Sequence, residues 1–182
     1  MQAARKDVVR NRVELLAAAE AVVAEHGIDA NMNTFAKAAG VGQGTLYRHF
    51  PDRQALLIAL IVRSLDRLEA FAAEQEGANL LFRFLRFYAS HAREHAALAN
   101  YWRVIDRSHA ELLAARTRFL ALVEPMLARA IEAQLCRPDL TVADVRSVLS
   151  MLNAIPATTT EPDALSSIDR VLELVTGGLQ RR

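Results

Sequence analysis

The sequence predicts an all-α protein. Apolar residues recur at helical spacing along most of its 182 residues, for example at Val13, Leu16 and Val23, whereas no segment sustains the apolar–polar alternation of a β-strand. Glycine, proline, asparagine and aspartate fall between these periodic segments, where helices begin and end. No apolar run approaches the roughly 18 residues of a membrane span. We therefore expect a soluble helical protein.

The first third of the chain predicts three helices. The first runs over Val8–His26 and has apolar residues on one face. The second, Met32–Ala39, has Asn31 as its expected N-cap, because that side chain can accept a hydrogen bond from a backbone N–H of the first turn. Gly40 closes this helix, and a third, short helix is expected to begin at about Gln43.

Further helices are predicted for the rest of the chain, about nine in all. Asp52 is the expected N-cap of a helix of about six turns that reaches about Glu74. Pro125 lies inside a later helix and is expected to bend it, because proline lacks a backbone donor. The later helices are expected at Leu80–His95, Leu98–Arg107, Ala110–Leu135, from Thr141 or Asp144 to near Pro156, and at Asp163–Thr176.

The stretch Gly40–Arg53, GVGQGTLYRHFPDR, allows two interpretations. A glycine loop that holds a nucleotide phosphate needs a preceding strand or a Gly-Lys-Ser/Thr ending, but here a helix precedes and Thr45-Leu46 follows Gly44. A helix-turn-helix instead needs a small residue in its first helix and a glycine in its turn, and Ala36 and Gly40 fit those positions. The second interpretation is favoured. The third helix of the chain then presents polar side chains that can bond to bases or phosphates: Gln43, Thr45, Tyr47, Arg48 and His49.

Composition excludes some classes of protein but does not indicate a partner. The single cysteine, Cys136, excludes an internal disulfide and a multi-cysteine zinc site, and it fits a reducing cytoplasm. The polar, basic N-terminus lacks the apolar core of a secretory signal. The formal net charge of +1 favours neither acidic nor basic partners. We expect a cytoplasmic protein without a cofactor.

The segments LLAAAEAVVAEHG, FAKAAGVGQGTLYRHF and PDRQALL resemble the DNA-binding domain of the TetR family of bacterial transcriptional regulators. The resemblance covers about the first third of the chain, Leu15–Leu57. It departs from the family at Phe35, where isoleucine is more usual, and at Gly42, where many members have serine. It implies an all-α homodimer, with a helix-turn-helix DNA-binding domain at residues 1–53 and a ligand-binding and dimerisation domain at residues 54–182.

The same resemblance implies the contacts with DNA. Four residues are expected to face the major groove: Gln43, Gly44, Thr45 and Arg48. Three are expected at backbone phosphates: Tyr47, His49 and Arg53. Further contacts are expected from a basic N-terminal arm that contains Arg5, Lys6 and Arg10.

Assembly and mode of action also follow from the resemblance. The family default is a repressor that binds a palindromic operator as a dimer and is released by a small effector. In the family the last two helices pair with those of the second copy. The interface candidates here are Leu149, Leu152, Ile168, Val171, Leu172 and Val175.

The C-terminal part is rich in aromatic residues, which allows two interpretations. Phe84, Tyr88 and His91 lie three or four residues apart, on one face of a predicted helix. With residues of later helices they can line a cavity for a largely apolar effector, or they can form plain core. The candidates for the ligand site are Phe84, Tyr88, His91, Trp102, Phe119, Met126 and Met151.

An alternative class of protein depends on three residues of the same region. His91, Glu94 and His95 include two histidines at the i, i+4 spacing of a metal site, so the chain can also be interpreted as a metal-binding or enzymatic helical bundle. Position 92 is Ala92, however, so the HExxH pattern of a zinc protease is absent. We expect no catalytic residues.

Overall fold

The computed structural model describes residues 2–91, 97–99, 101–102, 109–153 and 163–180, with side chains from residue 12 and, in the last range, from residue 170. Within these ranges the chain is helical and has no strand, which confirms the all-α prediction. None of the described helices is long and apolar enough to cross a membrane. The helices are α1 (Gln2–His26), α2 (Met32–Ala38), α3 (Gln43–His49), α4 (Arg53–Ala73), α5 (Leu80–Ser90), α6 (Ala110–Glu132), α7 (Val142–Asn153) and α8 (Asp163–Leu179).

Two predicted N-caps are present at the helices that frame the helix-turn-helix. The Asn31 side chain accepts a hydrogen bond from the Thr34 N–H at 3.0 Å. The Asp52 carboxylate accepts one from the Ala55 N–H at 2.7 Å, so α4 begins at Arg53. Each cap satisfies a backbone donor that the first helical turn leaves without a partner.

Some helix ends differ from the sequence prediction. α1 begins at Gln2 rather than Val8. α6 ends at Glu132 rather than Leu135, because Gln134 takes a φ of +57° and the Leu135 N–H donates back to the Ala130 carbonyl at 2.9 Å. This geometry closes a helix even without glycine. The helix predicted at 98–107 is described only at residues 97–99 and 101–102, which are helical.

Buried apolar side chains form two clusters. The head cluster contains residues of α1, α2, α3 and the first half of α4, with Phe50, Leu98 and Leu112. The body cluster contains Leu68 of α4, residues of α5 to α8, and Cys136. α4 supplies residues to both clusters, as α6 does through Leu112, so these two helices link the helix-turn-helix to the rest of the chain.

The polar side of α4 carries ion pairs to two other helices. Glu20 of α1 accepts hydrogen bonds from Arg63 Nε at 3.1 Å and from Arg67 Nη2 at 2.5 Å. Arg118 of α6 donates to Glu69 at 2.9 and 2.5 Å and to Asp66 at 2.5 Å. These hydrogen bonds to Glu69 and Asp66 raise the pKa of the Arg118 guanidinium. α4 is thus attached by charge to both α1 and α6.

Candidate nucleic-acid interface

The turn between α2 and α3 is set by Gly40. Its φ is +65°, in the left-handed region that favours glycine. The Gly40 N–H donates to the Lys37 carbonyl at 3.1 Å, and the Val41 N–H donates to the Ala36 carbonyl at 3.0 Å. These bonds form a Schellman motif, which satisfies the last carbonyls of α2 and turns the chain. α3 can therefore begin shortly afterwards, at Gln43.

Buried side chains fix the inner side of α3. Leu46 and the following Phe50 are each 1% exposed and belong to the head cluster with Phe35 and Ala36 of α2. Phe35 and Leu46 are thus buried between the helices, and Val41 packs half-buried beside them. A helix of seven residues has little stability of its own in water. Its orientation is therefore determined by this packing.

The outer side of α3 carries the polar residues. Gln43, Gly44 and Arg48 are exposed, and Tyr47 is 46% exposed. The remaining two predicted contact residues of α3 are half-buried, namely Thr45 and His49. The Arg48 Nε donates to the Gly44 carbonyl, one turn earlier, at 3.3 Å. A short helix with one anchored and one polar side can enter a major groove.

Arg53, the predicted phosphate contact on α4, has an acidic neighbour. Its Nη1 lies 3.3 Å from Oδ1 of Asp29, in the turn between α1 and α2. The side chains of Arg53 and Asp29 are 42% and 89% exposed. A phosphate that binds Arg53 therefore competes with the Asp29 carboxylate.

Arg12 of α1 was not among the residues predicted from sequence. Its Nη1 donates to the carbonyl of His49 at 3.3 Å, and its guanidinium lies 4.6 Å from the centre of the Phe50 ring. The first contact places a positive charge at the C-terminus of α3, where the helix dipole favours it, and the second is a cation–π contact. Arg12 thus holds the end of α3 against α1. Three side chains of the predicted basic arm lie outside the described ones: Arg5, Lys6 and Arg10.

Four of the seven residues predicted for a ligand site lie together in or against the body cluster: Phe84, Tyr88, Phe119 and Met126. Trp102 instead packs against the head cluster. Met151 is 49% exposed on α7. The structure therefore does not bring these two residues to the other four, because Trp102 packs against the other cluster and the Met151 side chain is exposed.

Tyr88 and Asn153 form a polar pair at the body cluster. The Tyr88 hydroxyl donates to Asn153 Oδ1 at 3.0 Å and accepts from Asn153 Nδ2 at 2.7 Å. Burial raises the pKa of Tyr88 to about 12, and the hydrogen bond with Asn153 lowers it only in part. The phenol is therefore neutral at physiological pH and can orient a ligand only by hydrogen bonding.

His91, the remaining predicted ligand residue, follows α5 and lies on an aromatic stack. Its Nδ1 is 2.9 Å from the Phe87 carbonyl oxygen, and its ring is 4.5 Å from the Phe87 ring. Phe87 stacks in turn on Phe71 of α4 at 4.1 Å. Glu94 and His95 lie outside the described residues, and in the part that is described no group of three or more His, Cys, Asp or Glu could hold a metal ion.

A depression of about 240 Å³ lies between α5 and α8. It is lined by Asn79, Phe82, Arg83, Arg86, Leu172, Thr176 and Gln180. None of the seven residues predicted for the ligand site belongs to this lining. The predicted site and this depression are therefore different places on the body.

The apolar residues of the last two helices mostly face the chain's own core. Leu149, Leu152 and Leu172 are at most 5% exposed, and they belong to the body cluster. The prediction that these three residues lie in the dimer interface is therefore wrong, because their side chains are already buried within one chain. Two other candidates, Val171 and Val175, pack against the same cluster, and the Ile168 side chain lies outside the described ones. Among the described side chains of these two helices, the large apolar ones that are exposed are Met151, at 49%, and Leu174, at 60%.

Two family models match different parts of the chain. One, described as bacterial regulatory proteins of the tetR family, matches residues 15–60, which contain α2, α3 and the turn set by Gly40. The other, described as the C-terminal domain of SbtR-like transcriptional regulators, matches residues 76–181. An HTH-type transcriptional regulator of Staphylococcus aureus (strain USA300) is 43% identical over 63 residues, 34% of either chain. The match thus spans about a third of that relative.

Solved structures match along nearly the whole chain. A TetR transcription regulatory protein from Mycobacterium vanbaalenii is 30% identical, with a TM-score of 0.69 over 97% of this chain and 99% of that one. The TetR transcriptional regulator SCO0520 from Streptomyces coelicolor is also 30% identical, with a TM-score of 0.65 over 93% and 98% of the two chains. With its helix-turn-helix, its helical body and these matches, the protein belongs to the TetR family of DNA-binding transcriptional regulators, which are not enzymes.

Proposed function

We propose that this protein is a repressor that binds a palindromic operator as a homodimer and leaves it when a small, largely apolar effector binds. Residues 1–53 are the DNA-binding domain, residues 54–182 are the ligand-binding and dimerisation domain, and the protein acts in the cytoplasm. The observation that carries the proposal is α3, which is anchored by Leu46 and Phe50 and polar on its other side. A dimer seated in the grooves of a promoter excludes RNA polymerase, which gives repression a physical basis.

The proposed DNA contacts are of two kinds. Side chains that can read base edges are Gln43, Thr45 and Arg48, since amide, methyl and guanidinium groups match different bases in the major groove. Gly44 belongs with them, because a Cβ at this position would meet no described atom beyond its neighbours and its own helix within 4 Å, so a close approach of DNA accounts for the glycine. Contacts to phosphates, which position the helix without reading sequence, are assigned to Tyr47, His49 and Arg53.

Selection of genomic fragments with the purified protein tests this proposal. We expect enrichment of a palindrome whose half-site centres lie about 34 to 36 Å apart, or slightly more. Arg48→Ala and Thr45→Ala should reduce discrimination among bases, whereas Arg53→Ala should weaken binding to all sequences and lower the salt slope by about one for each phosphate that Arg53 neutralises. Lys37→Ala removes an exposed cation from α2 and is the matched control. A selection that enriches no sequence would refute the proposal.

The homodimer is assigned to α7 and α8 because these helices carry exposed apolar groups. Leu174 is 60% exposed and Met151 is 49% exposed. α8 also contains Gly177 and Gly178, where a Cβ would meet no described atom beyond its neighbours and its own helix within 4 Å. Each glycine costs a helix about 1 kcal/mol relative to alanine, and close packing against the same helix of a second copy accounts for that cost. Isologous pairing also gives the two-fold symmetry that a palindromic operator requires.

Light scattering tests the assembly. The expected mass at micromolar protein is twice that of the 20.1 kDa chain. Leu174→Glu should give monomers, because it places a charge in the proposed interface. Leu113→Glu, at an apolar side chain that is 50% exposed on α6, is the control and should stay dimeric. A monomeric wild-type protein excludes the proposed dimer.

The effector site is assigned to the region of Phe84, Tyr88 and Met126. Their apolar side chains, which are at most 7% exposed, can supply affinity, and the Tyr88–Asn153 pair can fix orientation by hydrogen bonding. α4 supports the coupling to DNA, because Leu68 packs in the body cluster while earlier residues of the same helix pack in the head cluster. Coupling between two sites is typically about 1 to 3 kcal/mol, so release of the operator requires the upper end of that range or more.

A thermal-shift screen of apolar compounds, followed by operator titration with each hit, tests the effector site. Hits should raise the melting temperature and lower operator affinity. Tyr88→Phe should weaken hits that carry a hydrogen-bonding group, whereas Tyr101→Phe, at a tyrosine that packs against the head cluster, should not. Hits that respond to neither substitution would place the site elsewhere in the body.

A further inference from the structure

We propose that Asp29 lowers the affinity of this protein for DNA of any sequence by competing with phosphates for Arg53. The inference rests on the proposed phosphate contact of Arg53. Its structural basis is the 3.3 Å contact between Asp29 Oδ1 and Arg53 Nη1, which joins the α1–α2 turn to the first residue of α4. A carboxylate thus lies directly beside a cation on the surface that faces a polyanion.

The ion pair has little to do with folding. The Asp29 side chain is 89% exposed and that of Arg53 is 42% exposed, and pairs between such exposed groups contribute little to stability. Asp29 is also not the cap of α2, because that position belongs to Asn31, which accepts the Thr34 N–H. A neutral residue at position 29 is therefore compatible with the same fold, and the negative charge requires another explanation.

That explanation is electrostatic. A phosphate in contact with Arg53 comes within roughly 6 Å of the Asp29 carboxylate, where two like charges in water repel enough to lower affinity about threefold. A dimer has two DNA-binding domains, so the two effects together lower its affinity for DNA about tenfold. The effect weakens as salt screens the charges. Because phosphate contacts carry no sequence information, Asp29 weakens binding to the whole genome and shortens the time that the protein spends on non-operator DNA.

Asp29→Asn tests the inference, because it removes the charge and keeps the shape. The measurement is fluorescence anisotropy with a labelled duplex of mixed sequence, at low and at high salt. We expect the variant to bind about tenfold tighter at low salt, with a steeper salt dependence. The matched control is Glu25→Gln, which removes another exposed carboxylate of the head, 76% exposed and 3.8 Å from His26 Nε2 rather than beside Arg53.

The double variant Asp29→Asn/Arg53→Ala separates the possible outcomes. If Asp29 acts through Arg53, Asp29→Asn does not change the affinity for DNA when Arg53 has been replaced by alanine. The inference is overturned if Asp29→Asn binds no tighter than wild type, if Glu25→Gln gives the same gain, or if the gain persists without Arg53. If the single variant Arg53→Ala binds DNA as tightly as wild type, the proposed phosphate contact is contradicted, and the inference with it. Circular dichroism of each variant checks that the fold is unchanged.

Discussion

The contact between α1 and α4 allows a quantitative prediction for Glu20. Its carboxylate accepts from both Arg63 and Arg67, and the side chains of Glu20, Arg63 and Arg67 are 20%, 23% and 37% exposed. Glu20→Gln keeps the shape of the side chain but removes the charge. One guanidinium then faces an amide N–H₂ group, which donates and does not accept. At least one of the two charge-assisted hydrogen bonds is therefore broken.

The expected loss of stability follows from this geometry. A hydrogen bond to a charged group contributes about 1.5 to 3 kcal/mol, and partial exposure lowers that value toward the 0 to 1 kcal/mol of surface pairs. We therefore expect the free energy of unfolding to fall by about 1 to 2 kcal/mol. For a chain of this length each 1 kcal/mol lowers the melting temperature by about 2 to 4 °C.

Urea denaturation followed by circular dichroism measures this loss. It is done at one fixed protein concentration, because the stability of the proposed dimer would depend on that concentration. The matched control is Glu173→Gln, which breaks the 3.1 Å pair with Arg170. The side chains of Arg170 and Glu173 are 68% and 65% exposed. That substitution should change stability by less than about 0.5 kcal/mol. Equal losses for the two variants would show that the Glu20 pairs behave as ordinary surface contacts, and the reasoning would be refuted.

Other substitutions have equally definite expected outcomes. Gly40→Ala should lower the free energy of unfolding by about 1 to 2 kcal/mol in the same urea assay, because its φ of +65° strains any residue with a Cβ; an unchanged midpoint would contradict this. Gly42→Ser should raise it by a few tenths of a kcal/mol, because Gly42 has the extended backbone of an N-cap but no side chain to cap α3; a lower value would contradict this. Tyr88 has a pKa of about 12 instead of 10.0, so its neutral form stabilises the fold below pH 10, and that contribution, about 3 kcal/mol, disappears as the pH rises from 10 to 12. Tyr88→Phe should therefore flatten the fall in stability between pH 10 and 12, and an unchanged pH profile would show that Tyr88 does not cause it.

Local signals explain why the fold could be predicted from the sequence. Asn31 and Asp52 cap their helices through residues three positions away, and Gly40 closes α2 within five. Interactions over such short distances depend on residue type and spacing alone. The end of α6 was predicted less well. Gln134 adopts a positive φ that is usual for glycine, and the residue type glutamine does not predict that conformation.

Contacts between distant segments could not be predicted in this way. Arg12 and His49 are 37 residues apart, and Glu20 and Arg63 are 43 apart. Which guanidinium meets which acceptor depends on how the helices pack, and spacing within one helix does not contain that information. It is equally difficult to predict from the sequence whether an apolar residue of the last two helices lies in the core or in a dimer interface. The family resemblance implied a dimer interface that contains Leu149 and Leu172, but an interface and a core both bury apolar side chains, and here these two face the core.

The placement of the ion pairs along α4 has a consequence for how the head can move. Arg63 and Arg67 attach α4 to α1, and Asp66 and Glu69, within the same two turns, attach it to α6. A rotation of α4 against α1 must therefore stretch the bonds of Glu20, whereas a shift of α6 pulls on α4 through Arg118. The ion pairs of Glu20 favour movement of α1 and α4 together. The ion pairs of Arg118 connect these two helices to α6. We therefore expect a displacement of α6 to reach α3, because α1 holds the end of α3 through Arg12 and the head cluster buries its inner side.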